Sequence, residues 1–226
     1  MKVYTNNNTE GTNQVRLKAV KRSLVILLAF TIFIACGNVS EDVVVSGGTY
    51  TVYPTVVYDG NLGGIAGADT KCMADANYPG TGTYKAMLVD GFNRIASVTA
   101  NTGDGQVDWV LNSNSDYYLA DGTTKILTTD SNGLFSFGNL DNTFNGLGYG
   151  GGPAWTGLNQ DWTSSANNCV SWASANEVNT ASFGVTSDTA ETSISNATNY
   201  IPCSNSDTSK TSVTINFYSV LICVEQ

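Results

Sequence analysis

Tyr218-Ser-Val-Leu-Ile-Cys223-Val-Glu225 closes a 226-residue chain with β-branched and apolar side chains running almost unbroken around one cysteine. Such continuity is what a strand buried on both faces requires, and it reads as a central strand. Just before it Val213, Ile215 and Phe217 alternate, so residues 211–224 read as a strand-pair region. A central strand needs neighbours. Residues 49–58 (TYTVYPTVVY) supply one or two more strands, rich in β-branched and aromatic residues, with Pro54 suggesting an edge or a bulge. Residues 84–89 (YKAMLV) read as a buried strand or a strand entering a helix. Between these lies 66–76 (AGADTKCMADA), small and helix-permissive, with Ala68, Cys72 and Ala76 at i, i+4 spacing on one face. Turns flank it at 61–64 and 78–83.

Beyond Val89 helical periodicity disappears. Trp109-Val-Leu111, Ile126-Leu127, Leu134 to Phe137 and Trp155 to Leu158 are apolar islands between turn-rich stretches. Residues 145–154 (NGLGYGGGPA) read as a flexible loop. Residues 173–207 are rich in Ser, Thr, Asn and Ala and read as a long polar excursion stapled at its ends. There is no internal repeat and no sign of a second domain.

At the other end of the chain, Leu24 to Ala35 is a short apolar run preceded by Lys18, Lys21 and Arg22. A membrane-spanning helix needs about 20 apolar residues, so the run is too short to span. Phe33-Ile-Ala-Cys36-Gly37 has the small residues and upstream apolar bulk of a lipobox, and the whole segment has the grammar of a secretory signal. The expectation is a lipoprotein cut before Cys36 and held to a membrane by acyl chains on that cysteine. The polar start around Asn6 to Thr9 makes either an extended n-region or a true start nearer Lys18. The domains follow: signal peptide 1–35, lipidated tether 36–48, folded domain 49–226. Phe33 at the −3 position resembles a spirochaete-type lipobox. Gly37 at +2 lacks the aspartate that retains enteric lipoproteins in the inner membrane, which favours the outer membrane; a surface-exposed placement there is the expectation, although the facing leaflet is not encoded in these residues.

Removing the signal leaves Lys71, Lys85, Arg94, Lys125 and Lys210 against 18 acidic residues, a net charge of −13. Nucleic acids and polyanionic glycans need clustered Lys/Arg and are excluded as partners. The chain has no histidine, so the commonest general base and the commonest metal ligand are both missing. Beyond Cys36 four cysteines remain, Cys72, Cys169, Cys203 and Cys223. An even number in an exported chain reads as two disulfides with three possible connectivities.

The order of these features carries a resemblance. A cysteine on an early helix, the tetrad Trp155-Thr-Gly-Leu158, two further cysteines and a cysteine on the last strand resemble the C-type-lectin-like fold, whose second strand often carries Trp-Ile-Gly-Leu. Cys72 followed by Thr83-Tyr-Lys-Ala-Met-Leu88, then Cys169-Val-Ser-Trp172 and the terminal strand, resemble its endostatin branch. More similar still is a family of uncharacterised, mainly spirochaetal, bacterial lipoproteins. These share Asn61-Leu-Gly-Gly-Ile-Ala-Gly-Ala-Asp69, Lys71-Cys72, Val89-Asp90, Asn93-Arg94, Asp108-Trp-Val-Leu111, the Trp155 tetrad and Cys169-x-x-Trp172. The resemblance covers about residues 52–226. It implies an α+β, C-type-lectin-like (endostatin-like) domain with nested disulfides Cys72–Cys223 and Cys169–Cys203. The outer bridge would close a loop worth roughly 5 kcal/mol of chain entropy at most. Trp155 and Trp172, beside strand cysteines, are expected to be core aromatics.

Catalytic chemistry finds little to work with. Carboxylate pairs such as Asp104/Asp108 or Asp116/Asp121 have the residue types of a glycosidase, but they sit in turn-like stretches where solvated carboxylates are ordinary. The sugar-binding calcium motifs of lectins are absent. Asp130-Ser-Asn-Gly133 is half of an oxygen-rich calcium turn, but it lacks the downstream bidentate Glu and reads as a β-turn. The zinc and heparin functions of endostatin do not carry over, because the histidines and the arginine patch are missing. No cofactor, metal or catalytic residue is expected. The function expected is a non-catalytic binding or adhesion module for an extracellular-matrix protein or a glycan of a host or envelope. Its alternatives are a passive structural envelope protein or a carboxylate-based glycoside-acting enzyme. The face expected to bind is the loop surface 104–152 together with the polar excursion, since binding on rigid scaffolds concentrates on loops.

Overall fold

The last strand does lie between two others. In chain order the regular elements are β1 (Thr49–Pro54), α1 (Gly64–Ala74), β2 (Tyr84–Ala86), β3 (Asp116–Leu119), β4 (Lys125–Thr128), β5 (Pro153–Trp155), α2 (Cys169–Trp172), β6 (Thr180–Ala181), β7 (Phe183–Val185), a 3-10 turn (Glu191–Ser193), β8 (Ile201–Pro202) and β9 (Ile222–Glu225). This computed structural model describes residues 47–137, 140–145, 152–196, 199–204 and 219–226, all within one compact unit spanning Val45–Gln226. The expected signal segment, Cys36, most of the tether and the alternating residues 213–217 lie outside the described residues. No described helix is long and apolar enough to cross a membrane.

The main sheet has five strands in the order β2-β9-β1-β3-β4, and two small ribbons pair β5 with β7 and β6 with β8. β9 runs antiparallel to both neighbours, with Cys223 opposite Tyr53 on one side and Ala86 on the other. β1 runs parallel to β3, so the sheet is mixed and the domain is α+β. The period of two sorts the side chains between two cores. Val52, Ile222 and Val224 pack on one face with Leu119, Ile126, Phe144 and Trp162. Tyr53 and Cys223 pack on the other with Cys72, Trp155, Trp172, Cys169 and Cys203. Each fully buried apolar side chain of this size contributes about 1.5–3 kcal/mol.

Pro54 does not put β1 at an edge. It is the last residue of a central strand, opposite Ile222, and the chain continues the pairing through Thr55, whose N–H donates to Leu221 O and whose hydroxyl accepts from Leu221 N. α1 buries Ile65, Ala68 and Cys72. Ala76 is not on that face, because the helix ends at Ala74. Asp75 takes an extended conformation and its carboxylate collects the N–H groups of Val56 and Asn77 and the hydroxyl of Tyr58, which pulls the chain out of the helix.

Cys72 joins Cys223 with 5.7 Å between Cα atoms, tying α1 to β9. Cys169 joins Cys203 at 5.6 Å, inside the loop closed by the first bridge. The segment expected as a polar excursion is instead folded onto the domain. It supplies β6, β7, the 3-10 turn and β8, and it buries Ala181, Phe183, Ile194 and Ile201. Small residues let its backbone approach closely: a Cβ on Gly184 would stand 2.2 Å from Ser193 O. Residues 205–207 of that stretch lie outside the described residues. Of the expected loop 145–154, Pro153 and Ala154 belong to β5, and 146–151 lie outside the described residues.

α2 is a single left-handed turn. Cys169, Val170, Ser171 and Trp172 have φ of +52°, +55°, +53° and +63°. Such a conformation costs L-residues about 1–2 kcal/mol each. It is held at both ends, by the Cys169 disulfide and by the buried indole of Trp172, whose Nε1 donates to Val89 O at 2.9 Å. Asn168 closes it by accepting from Ser171 N.

Candidate functional site: an acidic cleft with an aromatic floor

Asp130-Ser-Asn-Gly133 forms a tight turn at the start of the site. Asp130 Oδ1 accepts from the N–H groups of Asn132 (2.7 Å) and Leu134 (3.0 Å), and Asp130 O accepts from Gly133 N. Gly133 has φ +68°, the conformation glycine adopts without strain, and its carbonyl accepts from Trp109 Nε1 at 2.9 Å. The turn thereby directs Leu134 and Phe135 inward, where both are buried.

Trp162 supplies the floor from another segment. It is buried although its φ is +69°, a conformation rare for a bulky side chain. Asp161 steadies it by accepting from Thr163 N, and Asn101 N donates to Asp161 O at 2.8 Å, which brings the 97–104 loop alongside. Phe135 meets Trp162 edge-on with centroids 4.7 Å apart, Phe137 stacks on it at 5.2 Å, and Trp109 stands edge-on at 5.9 Å. Above this floor is a cleft of about 330 Å³ lined by Asn101, Asp130, Leu134, Phe135, Ser136, Phe137, Trp162 and Glu191. Glu191 enters from the 3-10 turn of the segment that carries β6 to β8.

The charges around it are one-sided. Lys71 lies over the Tyr58 ring at 4.7 Å. Lys85 and Arg94 both hold Asp108, and Lys125 holds Asp116 at 2.7 Å. None of these four cations lines the cleft, and Lys210 lies outside the described residues.

Arg94 joins three segments of the chain. Its side chain is fully buried, and its guanidinium grips both oxygens of Asp69 (3.0 and 2.8 Å), Asp108 Oδ2 and the carbonyls of Asp108 and Ala86 (2.8 and 2.7 Å). Burial works against its charge, but the two carboxylates outweigh it and raise its pKa. Asp69 also accepts from Ala86 N, so the outer edge of β2 is covered by side chains rather than left open. A second depression of about 460 Å³ opens beside Asp69, Asn93 and Asp108 at the start of α1, but its two carboxylates are committed to Arg94.

The carboxylates singled out from sequence are similarly engaged. Asp104 accepts from Thr99 N, Thr102 Oγ1, Thr99 Oγ1 and Val98 N, which hold it well below the usual carboxylate range. For Asp108, burial raises the pKa and the contacts of Lys85 and Arg94 lower it by more. Asp116 is lowered by Lys125 and Thr128. Asp121 falls to about 2 because Thr124 and the N–H of Thr123 bond it. Trp155 and Trp172 are fully buried and meet edge-on at 6.0 Å. Gly157 of the same tetrad lies against them: with φ +64°, a Cβ there would stand 2.4 Å from Val89 O and 2.9 Å from Trp172 Cζ2. Arg94, Trp162 and Glu191 take their places through long-range contacts that no local sequence pattern announces, whereas the turn composition and the aromatics of 109–137 do mark the loop face.

Residues 55–190 match DUF1554, a protein family of unknown function, and the chain belongs to that family. The matched residues include the cleft except Glu191, which follows directly. No curated protein matches the chain.

Proposed function

We propose that this DUF1554 protein is a non-catalytic binding or adhesion module, a C-type-lectin-like domain held to the outer membrane at the cell surface by lipid on Cys36. Its contact face is centred on the acidic cleft, and its ligand is an extracellular-matrix protein or a glycan. The observation that carries this reading is the cleft itself. Loop residues 130–137 and Glu191, far apart in sequence, converge on one concave surface whose carboxylates have no cation beside them among the described residues. Loops on a rigid scaffold are where recognition concentrates, and here two disulfides and a five-stranded sheet supply the rigidity.

The lectin-like assignment is supported by the bridge from the first helix to the last strand, the second bridge inside it, and the close packing of Gly157 on Trp172. The non-catalytic reading is supported by the commitment of Asp104, Asp108, Asp116 and Asp121 to turns and ion pairs.

A binding screen of the whole chain, disulfides intact and in mild detergent, against arrayed glycans and matrix proteins tests the reading, with calcium and with chelator. Chelator-resistant binding is expected. Chelator-sensitive sugar binding would assign calcium to the turn at Asp130. Silence in both arms refutes the adhesion reading and leaves a structural envelope role. Protease shaving of intact cells tests the location: a protein untouched until the envelope is broken faces inward.

A further inference from the structure

We infer that the cleft receives an arginine or lysine side chain from a basic segment of a partner protein, an inference that rests on the binding-module reading above. Charge complementarity is the first argument. Asp130 and Glu191 both border the cleft, and neither takes part in any of the four ion pairs among the described residues. Asp130 directs Oδ1 to the N–H groups of its own turn, which leaves Oδ2 for a ligand. The chain as a whole is acidic, so its field draws cationic segments in and steers their approach.

Shape is the second argument. A cleft of about 330 Å³ has room for one long side chain and the backbone that carries it. Leu134 and Phe135 are buried, so the part of the floor open to the methylene stem of such a residue is Phe137, while its charged head remains among the carboxylates. Phe137, partly exposed, adds a ring to which a cation is attracted.

The same features disfavour other occupants. A sugar platform needs a broad open aromatic face, but Phe135 and Trp162 are only 5% and 2% exposed, Phe137 covers Trp162, and Phe137 itself is only partly exposed. A calcium ion needs six or more oxygens, and among the described residues no group of three acidic, histidine or cysteine side chains is placed to hold a metal.

The test is an NMR titration of the whole chain, disulfides intact and in mild detergent, reading the Trp162 indole and the Asn101 side-chain amide. The probes are Nα-acetyl-arginine amide, Nα-acetyl-lysine amide and the neutral isostere Nα-acetyl-citrulline amide. The two cations are expected to shift both signals with millimolar affinity, and citrulline to leave them in place. Asp130→Asn, which keeps the Oδ1 that caps the turn, and Glu191→Gln are each expected to weaken the cations about fivefold or more, a loss of about 1 kcal/mol. Raising salt from about 50 to about 500 mM should weaken them further. An equal response to citrulline, indifference to both substitutions, or no response to either cation overturns the inference. Cleft shifts with methyl glycosides or with calcium, and none with the cations, overturn it in favour of those ligands. The two readings fail separately. A partner found in the screen with a cleft unmoved by arginine amide sinks only the cleft assignment. Arginine-amide binding in a protein that captures no matrix protein or glycan sinks only the adhesion reading.

Discussion

Replacing Arg94 by methionine keeps most of the buried volume and removes the charge that three segments share. In the native protein the guanidinium joins Asp69 on α1, Ala86 on β2 and Asp108 on the loop before Trp109. Methionine would leave Asp69 without a counter-ion, Asp108 with Lys85 alone, and the Asp108 carbonyl without the donor it has now, while Ala86 O keeps only Leu88 N. Breaking a buried pair by deleting one partner costs about 3–5 kcal/mol. Here Asp69 and Asp108 retain 22% and 37% side-chain exposure, so water takes over part of the solvation and the lower end, about 3 kcal/mol, applies. At about 2–4 °C per kcal/mol for a domain of this size, the melting temperature should fall by about 6–12 °C. Arg94→Lys should recover only part of the loss, because one ammonium cannot reproduce the planar fork across two carboxylates. Adding Asp69→Asn to Arg94→Met should recover part of the stability, since a neutral partner leaves no unpaired charge there while Asp108 keeps Lys85. Calorimetry with matched urea titrations reads all of these. An Arg94→Met protein melting within about 2 °C of the parent would refute the view that this network ties α1 and β2 to the loop.

Three further outcomes are expected. Removing Cys72–Cys223 should cost more than removing Cys169–Cys203, because loops of 151 and 34 residues correspond to about 5 and 4 kcal/mol of chain entropy as upper figures; the reverse order in paired Cys→Ala denaturation curves would refute the entropic account. Val170→Gly should stabilise by up to about 1 kcal/mol, because glycine adopts the left-handed conformation without the 1–2 kcal/mol it costs valine and returns only part of that as unfolded-state entropy; Val170 is 62% exposed, so little packing is lost, and a drop in melting temperature would contradict the left-handed turn. Stability should be flat from about pH 5 to 9, since no histidine titrates there. Asp90, Asp104, Asp108, Asp116, Asp121 and Asp188 have depressed pKa values when folded. Their contribution is complete above the unfolded value near 4 and is lost as pH falls through the folded values, about 2 for Asp121. Tyr58 and Tyr117, raised to about 12 by burial, stabilise fully below about pH 10 and lose that contribution as pH rises towards 12. A transition near pH 6.5 in a pH series of melting curves would overturn this.

What was legible in the sequence is what periodicity encodes. The unbroken run at the end of the chain placed β9 inside the sheet, because a strand flanked on both sides has no polar face to display. The small residues around Cys72 marked α1, because a helix packed closely on a sheet needs them. Pro54 misled because a local rule about missing donors says nothing of where a strand stops; the strand ends there, and Thr55 resumes the pairing with its neighbour. The excursion misled for a related reason. Its polar composition suggested solvent, yet serine and threonine hydroxyls can bond carbonyls inside the fold, as Thr186 Oγ1, itself buried, does to Gly152 O at 2.9 Å.

The cleft was half legible, and the reason is physical. The loop face was expected from turn composition, and Asp130, Leu134 and Phe137 lie on it. Trp162 and Glu191 join them only through long-range folding that no local pattern announces. Among the described residues, Asn101, Asp108 and Asn114 take positive φ as their residue types tolerate, and the two places where bulky residues do so, Trp162 at φ +69° and the left-handed turn at 169–172, hold a buried tryptophan. Left-handed backbone in bulky residues persists only where the surroundings over-determine it. At 169–172 the disulfide and the Val89 carbonyl supply that constraint, and the result is structural: Trp172 closes the core over Gly157. At Trp162 the constraint comes from Phe135, Phe137 and Trp109, and the result is a floor. The same device therefore serves packing at one site and a concave surface at the other. That surface is the one where two carboxylates lie without a cation to meet them among the described residues, and a basic side chain from outside completes it.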